Sequence, residues 1–296
     1  MSTRAYIYLI LTTLIWGGNA VAGKLAIGNI SPMLLTSGRW LFAFLILAVL
    51  YRDIIRQDLP VLRRNWLVLA LLGACGFTLF NVSFYTALYF TSAINVSIEQ
   101  GGIPMLVFLL NFLFFRQAAN RWQIIGLILS VAGVILTASH GDLKHLLALS
   151  LNIGDLMMLG AVIIYAIYTV CLRYRPAINW QSIMTAMCFF AFLVSIPFSL
   201  YEHNKGDMLI TWPQGWAVLA FVVIGPSIVS QALYIFGVVL IGANRASLFV
   251  NLVPIFGTLL SILLLGEDFY LYHAIALLLV FGGIWLAETW GRKKPA

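Results

Sequence analysis

Four charged side chains lie within or at the ends of strongly apolar segments of this 296-residue chain: Lys24, Arg39, Glu99 and Asp155. An ionised side chain in such a segment is costly and is normally paired or functional. Glu99 is the only carboxylate that the sequence places well inside an apolar run. We therefore expect Arg39 or Lys24 to pair with Glu99 in a polar network with a gating or coupling role. A static salt bridge is the alternative.

The segments that position these residues come in two copies, because the sequence matches itself at an offset of 150 residues. The identical pairs include Trp66 with Trp216, Ala93 with Ala243, Ser97 with Ser247, Pro104 with Pro254, and Gly133 with Gly283. Internal duplication of an apolar chain is typical of membrane proteins whose site lies between two related halves. We expect one repeat at 1–140 and a second at 150–292, within a single membrane domain.

Composition and span count predict the fold class. Hydrophobic residues make up 62% of the chain, charged residues 9%, and the mean hydropathy is +1.00, unlike soluble domains with about a quarter charged residues. Runs long enough to span a bilayer occur at 6–27, 33–51, 66–90, 92–115, 120–138, 154–172, 181–201, 214–239, 244–265 and 270–290. Five spans per half is an odd number, so the second copy must begin on the opposite side of the membrane. We predict an all-α polytopic membrane protein of ten transmembrane helices, arranged as two inverted five-helix repeats around a central cavity.

The basic residues predict the orientation of the spans. Of 17 Lys and Arg residues, 13 fall on the side of both termini and 3 on the other side, and Arg39 lies within a span. The positive-inside rule therefore places both termini in the cytoplasm. The region 52–64 is expected to be the longest cytoplasmic loop, and the linker around 140–152 an external loop. This topology accounts for a pI of about 9.5 without nucleic acid as a partner.

Polar and aromatic residues recur on matched faces of the two halves. They are predicted to bind substrate between the halves, because an amide that faces lipid leaves its donors and acceptors unpaired. The candidates are Trp16, Asn19, Asn81, Tyr85, Asn95, Tyr165, Tyr168, Gln231, Ser247 and Asn251. Helix-to-helix packing and hydrogen bonding are the alternative role for each of them.

Proline interrupts corresponding spans of both halves. Pro104 and Pro254 each remove one backbone donor, and Gly101 precedes the first of them. Interrupted helices of this kind serve as hinges in transport proteins. A static kink is the alternative for each position.

Catalytic motifs are not found in the sequence. No HExxH, paired-histidine spacing or Gly-rich phosphate loop occurs, and the three cysteines lie inside apolar runs, which excludes the usual metal, cofactor and disulfide patterns. We predict no catalytic residue, no metal and no cofactor. A channel and a lipid-modifying enzyme remain alternatives to a carrier.

Several short motifs carry a family resemblance. They are Trp16-Gly17-Gly18-Asn19, the twin segments 93–104 and 243–254, Leu265-Gly266-Glu267, and Gly282-Gly283. Together these motifs, spread over the whole chain, resemble the ten-helix EamA-type branch of the drug/metabolite transporter (DMT) superfamily. The aromatic first span and the amides Asn81 and Gln231 are most similar to bacterial aromatic amino-acid exporters of the YddG type. The first half has Phe115-Arg116-Gln117 where the second has Leu265-Gly266-Glu267.

The resemblance implies a secondary transporter that exports neutral or aromatic amino acids and related small metabolites across the bacterial inner membrane by alternating access. The alternatives are a multidrug or organic-cation exporter and a nucleotide-sugar or phosphorylated-metabolite carrier. The implied partners are a small-molecule substrate and membrane lipid, with the monomer as the working oligomeric state.

Overall fold

The computed structural model describes residues 2–116, 121–142, 152–241 and 249–290, most of which are helical. Seven helices are long and apolar enough to cross a membrane, and three shorter apolar helices accompany them, at Arg121–Thr137, Val253–Leu265 and Leu271–Leu286. Each of the ten apolar runs overlaps one of these helices. The fold is that of an all-helical polytopic membrane protein, and the inverted ten-span topology stays a prediction.

Several spans consist of more than one helical segment. In the first half the helices are α1 (Ser2–Ala26), α2 (Pro32–Leu50), α3 (Arg52–Arg64), α4 (Trp66–Gly73), α5 (Phe80–Ala87), α6 (Ala93–Gln100), α7 (Ile103–Phe115) and α8 (Arg121–Ala138). In the second half they are α9 (Ile153–Cys171), α10 (Trp180–Asn204), α11 (Gln214–Val222), α12 (Ser230–Ile241), α13 (Val253–Leu265) and α14 (Leu271–Thr289). The π-helical segments Ala74–Leu79 and Val223–Val229 join α4 to α5 and α11 to α12.

The two halves pack together through exchanged helices. Helix α1 packs against α12 and α13 of the other half, whereas α9 packs against α5 and α7. Helices that correspond in the two halves also pack on each other, α2 on α10 and α8 on α14. The first helix of each half is therefore surrounded by helices of the other half.

Small residues allow α8 and α14 to approach closely. A Cβ added to Gly133 would lie 2.8 Å from the carbonyl oxygen of Ala276, and one added to Gly283 would lie 2.5 Å from that of Gly126. Ser130 Oγ donates to the Val280 carbonyl at 3.2 Å. Gly133 and Gly283 are a pair from the 150-residue repeat, so this interface explains why both copies retain glycine at that point.

Two carboxylates cap the N-termini of helices in the other half. Glu202 accepts hydrogen bonds from Ser31 Oγ at 2.6 Å and from two backbone N–H groups at the start of α2, at 3.0 and 3.1 Å. Glu267 accepts from the Ala93 and Ile94 N–H groups at the start of α6, at 2.8 and 2.9 Å. Each carboxylate satisfies donors that a helix start leaves unpaired and lies at the positive end of the helix dipole. Glu202 lies near the C-terminal end of α10 and is a second buried carboxylate, to which the sequence analysis gave no role.

The segment 52–64, which is expected to connect two spans on the cytoplasmic side, forms helix α3. It is an amphipathic helix whose polar side chains alternate with the apolar residues that contact the bundle. Asp58 in α3 accepts hydrogen bonds from Ser182 Oγ at 2.6 Å and from Asn179 Nδ2 at 3.0 Å, at the start of α10. These bonds lower the pKa of the partly exposed Asp58 carboxyl group, and the Ser182 bond has the largest effect. The helix forms because its apolar residues recur at helical spacing between the charged ones.

Candidate functional site

A cavity of about 150 Å³ lies between the two halves. Its walls come from spans of both repeats, and aromatic and amide side chains are prominent among them. The sequence candidates that line it are Trp16, Asn19, Arg39, Asn81, Gly101, Pro104, Tyr165, Gln231, Asn251 and Pro254. Ten predicted residues from separate parts of the chain thus surround one space.

Two of the cavity walls are helix interruptions beside proline. Helix α6 ends at Gln100, a turn follows at Gly101 and Gly102, and α7 begins with Pro104 in its first turn. In the second half α13 likewise begins with Pro254 in its first turn. Proline is tolerated at this position because the first N–H groups of a helix have no partner within it. The interruptions lie at the predicted points, and a hinge movement there stays a prediction.

The two π-helical segments form a second matched pair of walls. Gly76 and Phe77 line the cavity from the first segment and Pro226 from the second. Trp16 Nε1 donates to the Pro226 carbonyl at 3.3 Å, a bond between the halves. Such π-helical turns are frequent at functional sites. The sequence analysis missed them, although Pro226, which cannot donate a helical hydrogen bond, is a signal for the second.

Arg39 is buried at the cavity wall and is held by oxygen atoms of neutral groups. Its Nε donates to Ser227 Oγ at 2.7 Å, and its Nη1 donates to Tyr85 OH at 2.6 Å and to Asn81 Oδ1 at 2.9 Å. Asn19 Oδ1 lies 3.4 Å from Nη1 and accepts from Tyr85 OH at 3.0 Å. The guanidinium thus joins α1, α2, α5 and the second π-helical segment at one point.

Two predicted binding residues support the cavity from behind. Tyr85 is 1% exposed and contributes its hydroxyl to the Arg39 cluster, but it does not line the cavity. Tyr168 packs against Gly76, where an added Cβ would lie 2.4 Å from the tyrosine ring. The ring of Tyr168 also packs at a tilt of 54° against that of Tyr165, which lines the cavity, at a centroid distance of 5.1 Å. Both tyrosines position lining residues.

A second polar cluster lies at the end of the bundle where the linker between the halves begins. Asp155 accepts a short hydrogen bond from Thr91 Oγ1, and its other oxygen lies 2.8 Å from His140 Nε2. Asn95 Nδ2 donates to Thr91 Oγ1 at 3.2 Å, and its Oδ1 lies 3.1 Å from His273 Nε2. Asn95, another predicted binding residue, is therefore part of this linker-end cluster and not of the cavity lining.

Glu99 lies one helical turn from Asn95 and is fully buried. Within the described part of the chain, neither of its carboxylate oxygens has a hydrogen-bond partner. Lys24 instead donates to the carbonyls of Leu88 and Thr91 at 2.7 and 2.6 Å. The predicted pairing of Arg39 or Lys24 with Glu99 is wrong, because neutral oxygens bind Arg39 and two carbonyls that follow α5 bind the lysine ammonium.

The sequence analysis missed two histidines in this linker-end cluster. It gave no role to His140 or His273, yet His273 is 1% exposed. The Tyr270 N–H donates to His273 Nδ1 at 3.0 Å, so Nε2 carries the proton that is donated to Asn95. Ser247, a predicted binding residue, lies outside the described residues.

Comparisons with known proteins agree with this architecture. The chain is 27% identical over 298 residues to the uncharacterized transporter YetK of Bacillus subtilis, covering 98% of this chain and 88% of that protein. It is 26% identical over 294 residues to an uncharacterized transporter of Archaeoglobus fulgidus, covering 98% and 99% of the two chains. A solved crystal structure matches with a TM-score of 0.64 over 99% of each chain at 18% identity, a likeness of fold.

The family comparison covers nearly the whole chain in two segments. The model of the EamA-like transporter family matches residues 3–139 and again residues 152–289. These two matches account for the 150-residue repeat. The chain belongs to the EamA-like transporter family.

Proposed function

We propose that this protein is a secondary transporter that exports neutral or aromatic amino acids and related small metabolites across the inner membrane by alternating access. The observation that carries the proposal is the cavity between the halves. Its lining combines the aromatic rings of Trp16, Phe80 and Tyr165 with the amides of Asn19, Asn81 and Gln231. A small amphipathic solute matches such a surface of apolar walls with a few polar groups.

The movement that we propose uses the two halves as inverted five-helix repeats with both termini in the cytoplasm. In this scheme 1–140 and 150–292 change their relative tilt at the interruptions beside Pro104 and Pro254. The exchanged packing of α1 and α9 supports it, since each half encloses the first helix of the other. Inverted repeats around a midplane site are the common architecture of alternating access.

We propose the linker-end cluster as the gate and coupling site. Glu99 and Asp155 lie in it on α6 and α9, and Lys24 joins it through its bond to the Thr91 carbonyl. The other ionisable groups around α6 are His140 after α8, Glu267 before α14, and Tyr272 and His273 on α14. An unpaired carboxylate in a protein interior is most stable when it carries a proton. We therefore assign Glu99 as the proton carrier, with Asp155 and His140 between it and solvent.

Counterflow in proteoliposomes tests the transport proposal. The panel contains aromatic, branched, cationic and acidic amino acids and a quaternary ammonium dye. We expect exchange of chemically unchanged aromatic or branched amino acids, and a fall in exchange of about tenfold in Asn81→Ala. Asn111→Ala is the matched control, because Asn111 lies in α7 and its side chain bonds the Val107 carbonyl instead of lining the cavity. Single-channel conductance steps, or equal loss in both variants, would contradict the proposal.

Proton flux in the same vesicles tests the coupling assignment. In wild-type protein an outward pH gradient should drive amino-acid exchange, and Glu99→Gln should exchange at a rate that does not change with pH. Glu202→Gln is the control, because Glu202 is a buried carboxylate whose oxygens already accept three hydrogen bonds. A Glu99→Gln flux that equals the wild-type flux at every pH, and so keeps the wild-type pH response, would remove the coupling role.

The second candidate function is transport of a phosphorylated metabolite. The buried cation Arg39 at the cavity wall favours it, and the same cation disfavours an organic-cation exporter because like charges repel. Counterflow of sugar phosphates in place of amino acids would identify this second function.

A further inference from the structure

The charge of Arg39 has no counter-ion in the described part of the chain. Its side chain bonds oxygens of serine, tyrosine and asparagine only, and Arg39 takes part in none of the ion pairs there. The residue is 6% exposed. A buried charge is normally paired, since dipoles alone recover only part of the solvation that the ion loses.

The buried carboxylates that could supply this charge are in use elsewhere or lie apart from it. Glu202 and Glu267 bind helix N-termini, and Asp155 binds Thr91 and His140. Glu99 has no hydrogen-bond partner in the described segments, Arg39 included. The negative charge that matches Arg39 must therefore come from outside the fold.

The free side of the guanidinium is the side available to a solute. Nε and Nη1 make every hydrogen bond that Arg39 forms with described residues, and Nη2 makes none. Nη2 carries two N–H donors in a fixed plane, and Arg39 is a lining residue of the cavity. We infer that Arg39 binds one carboxylate group of the transported solute through Nη2. This inference rests on the proposed transport function and names the chemical class of its substrate.

A single carboxylate fits this site better than a phosphate. Arg39 is the only Lys or Arg that lines the cavity among the residues described, whereas a phosphate dianion calls for two or more cationic or N–H donors. Lys24 is held by the Leu88 and Thr91 carbonyls. The aromatic rings of Trp16 and Tyr165 lie in the same cavity and suit the apolar remainder of the solute.

Ligand binding to purified wild-type protein tests the inference independently of transport. Four probes share a phenyl group: phenylalanine, 3-phenylpropionate, phenethylamine and phenyl phosphate. We expect the two carboxylates to bind at least about tenfold more tightly than phenethylamine, as expected for a hydrogen bond to a charged group. Equal affinity for phenethylamine, or tightest binding of phenyl phosphate, would overturn the inference. Neither result needs a variant to fold.

Variants then assign the preference to Arg39. Arg39→Gln should bind phenylalanine and phenethylamine with equal affinity, whereas Arg39→Lys should keep part of the preference because it keeps the charge. Arg52→Gln is the control, since the Arg52 side chain is 69% exposed. A carboxylate preference that persists in Arg39→Gln would place the anion site elsewhere.

The two proposals can fail separately. Carboxylate binding without counterflow of any amino acid would contradict the transport proposal and would still support the Arg39 site. The Arg39 inference alone would be contradicted if wild-type protein and Arg39→Gln exchanged phenylalanine at equal rates and the wild-type protein did not prefer carboxylates.

Discussion

Arg39 and Glu99 are both buried charged residues of the first half, yet their surroundings are opposite. Arg39 has oxygen acceptors from three side chains within 2.9 Å and no counter-ion in the described segments. Glu99 has no acceptor or donor within hydrogen-bond reach there. A cation that is hydrogen-bonded but not neutralised is prepared to receive an anion, whereas an unpaired carboxylate is prepared to hold a proton. Burial alone therefore does not indicate the role of a charged side chain, whereas its hydrogen-bond partners do.

Removing the guanidinium should give the largest effect. Arg39→Met leaves Asn81, Tyr85 and Ser227 without their donor, and each unpaired buried group costs about 1–3 kcal/mol. We expect a fall of several kcal/mol in the free energy of unfolding, measured by thermal unfolding in detergent, together with loss of carboxylate binding. Stability equal to wild type would show that Arg39 is not an organising centre of the cavity wall.

Removing a paired carboxylate should lower stability by less than removing the guanidinium does, and it should leave binding unchanged. Glu202→Ala removes three acceptor bonds from the start of α2, and loss of a helix cap costs about 0.5–2 kcal/mol. Unfolding should occur at a lower temperature, while the preference for carboxylate probes stays at its wild-type value. A changed preference would mean that the two regions are not independent.

Trimming one acceptor from the Arg39 cluster should have an intermediate effect. Tyr85→Phe removes the 2.6 Å bond from Nη1 and the bond to Asn19, and a hydrogen bond to a charged group contributes about 1.5–3 kcal/mol. We expect a loss of stability near the lower end of that range, because Asn81 still accepts from the same nitrogen. Binding titrations on this variant should show a several-fold change in affinity for phenylalanine.

Neutralising Glu99 should leave stability unchanged or higher. Glu99→Gln has the same shape as the protonated acid and removes no hydrogen bond in the described structure. We expect a free energy of unfolding within about 1 kcal/mol of wild type, because the substitution conserves the side-chain volume at a buried position. A large loss would indicate that Glu99 is ionised and paired, and the contrast with Arg39 would then disappear.

The sequence predicted the cavity better than it predicted the pairs of charges. Trp16, Asn81, Tyr165 and Gln231 were identified because an amide or a large ring on an apolar helix must face inward, and the repeat indicated the helices that face each other. The same argument failed for Tyr85, because α1 packs directly on its ring and covers it. Gly23 allows this contact, since a Cβ added to Gly23 would lie 3.0 Å from the Tyr85 ring. Which inward side chain is covered depends on a neighbour that is remote in sequence.

Partners of buried charges are also remote in sequence. Glu202 binds residues 168 to 171 positions away, and no periodicity within either segment indicates that contact. The sequence analysis expected Arg39 to pair with Glu99, yet α5 and the second π-helical segment supply the acceptors instead. The local sequence pattern indicates which segments are apolar spans and which helix faces point inward. The partners of buried charges depend instead on how helices of the two halves pack together.

Asp58 offers the smallest effect and a reference for both buried charges, since it is a partly exposed carboxylate that accepts hydrogen bonds from Ser182 and Asn179. Ser182 and Asn179 lower its pKa from the ordinary value of 3.8, so the bonds stabilise the fold fully above that pH and less as pH falls through the folded-state pKa. Asp58→Asn should therefore lower the unfolding temperature slightly at neutral pH, and the difference from wild type should close below about pH 4. A difference that stays constant with pH would mean that packing of α3, and not the carboxylate charge, ties this helix to α10. Solvent screening keeps the charge effect small at this partly exposed position. Comparison of Asp58 with the buried carboxylates Glu202 and Glu99 therefore separates the cost of burial from the gain of hydrogen bonding.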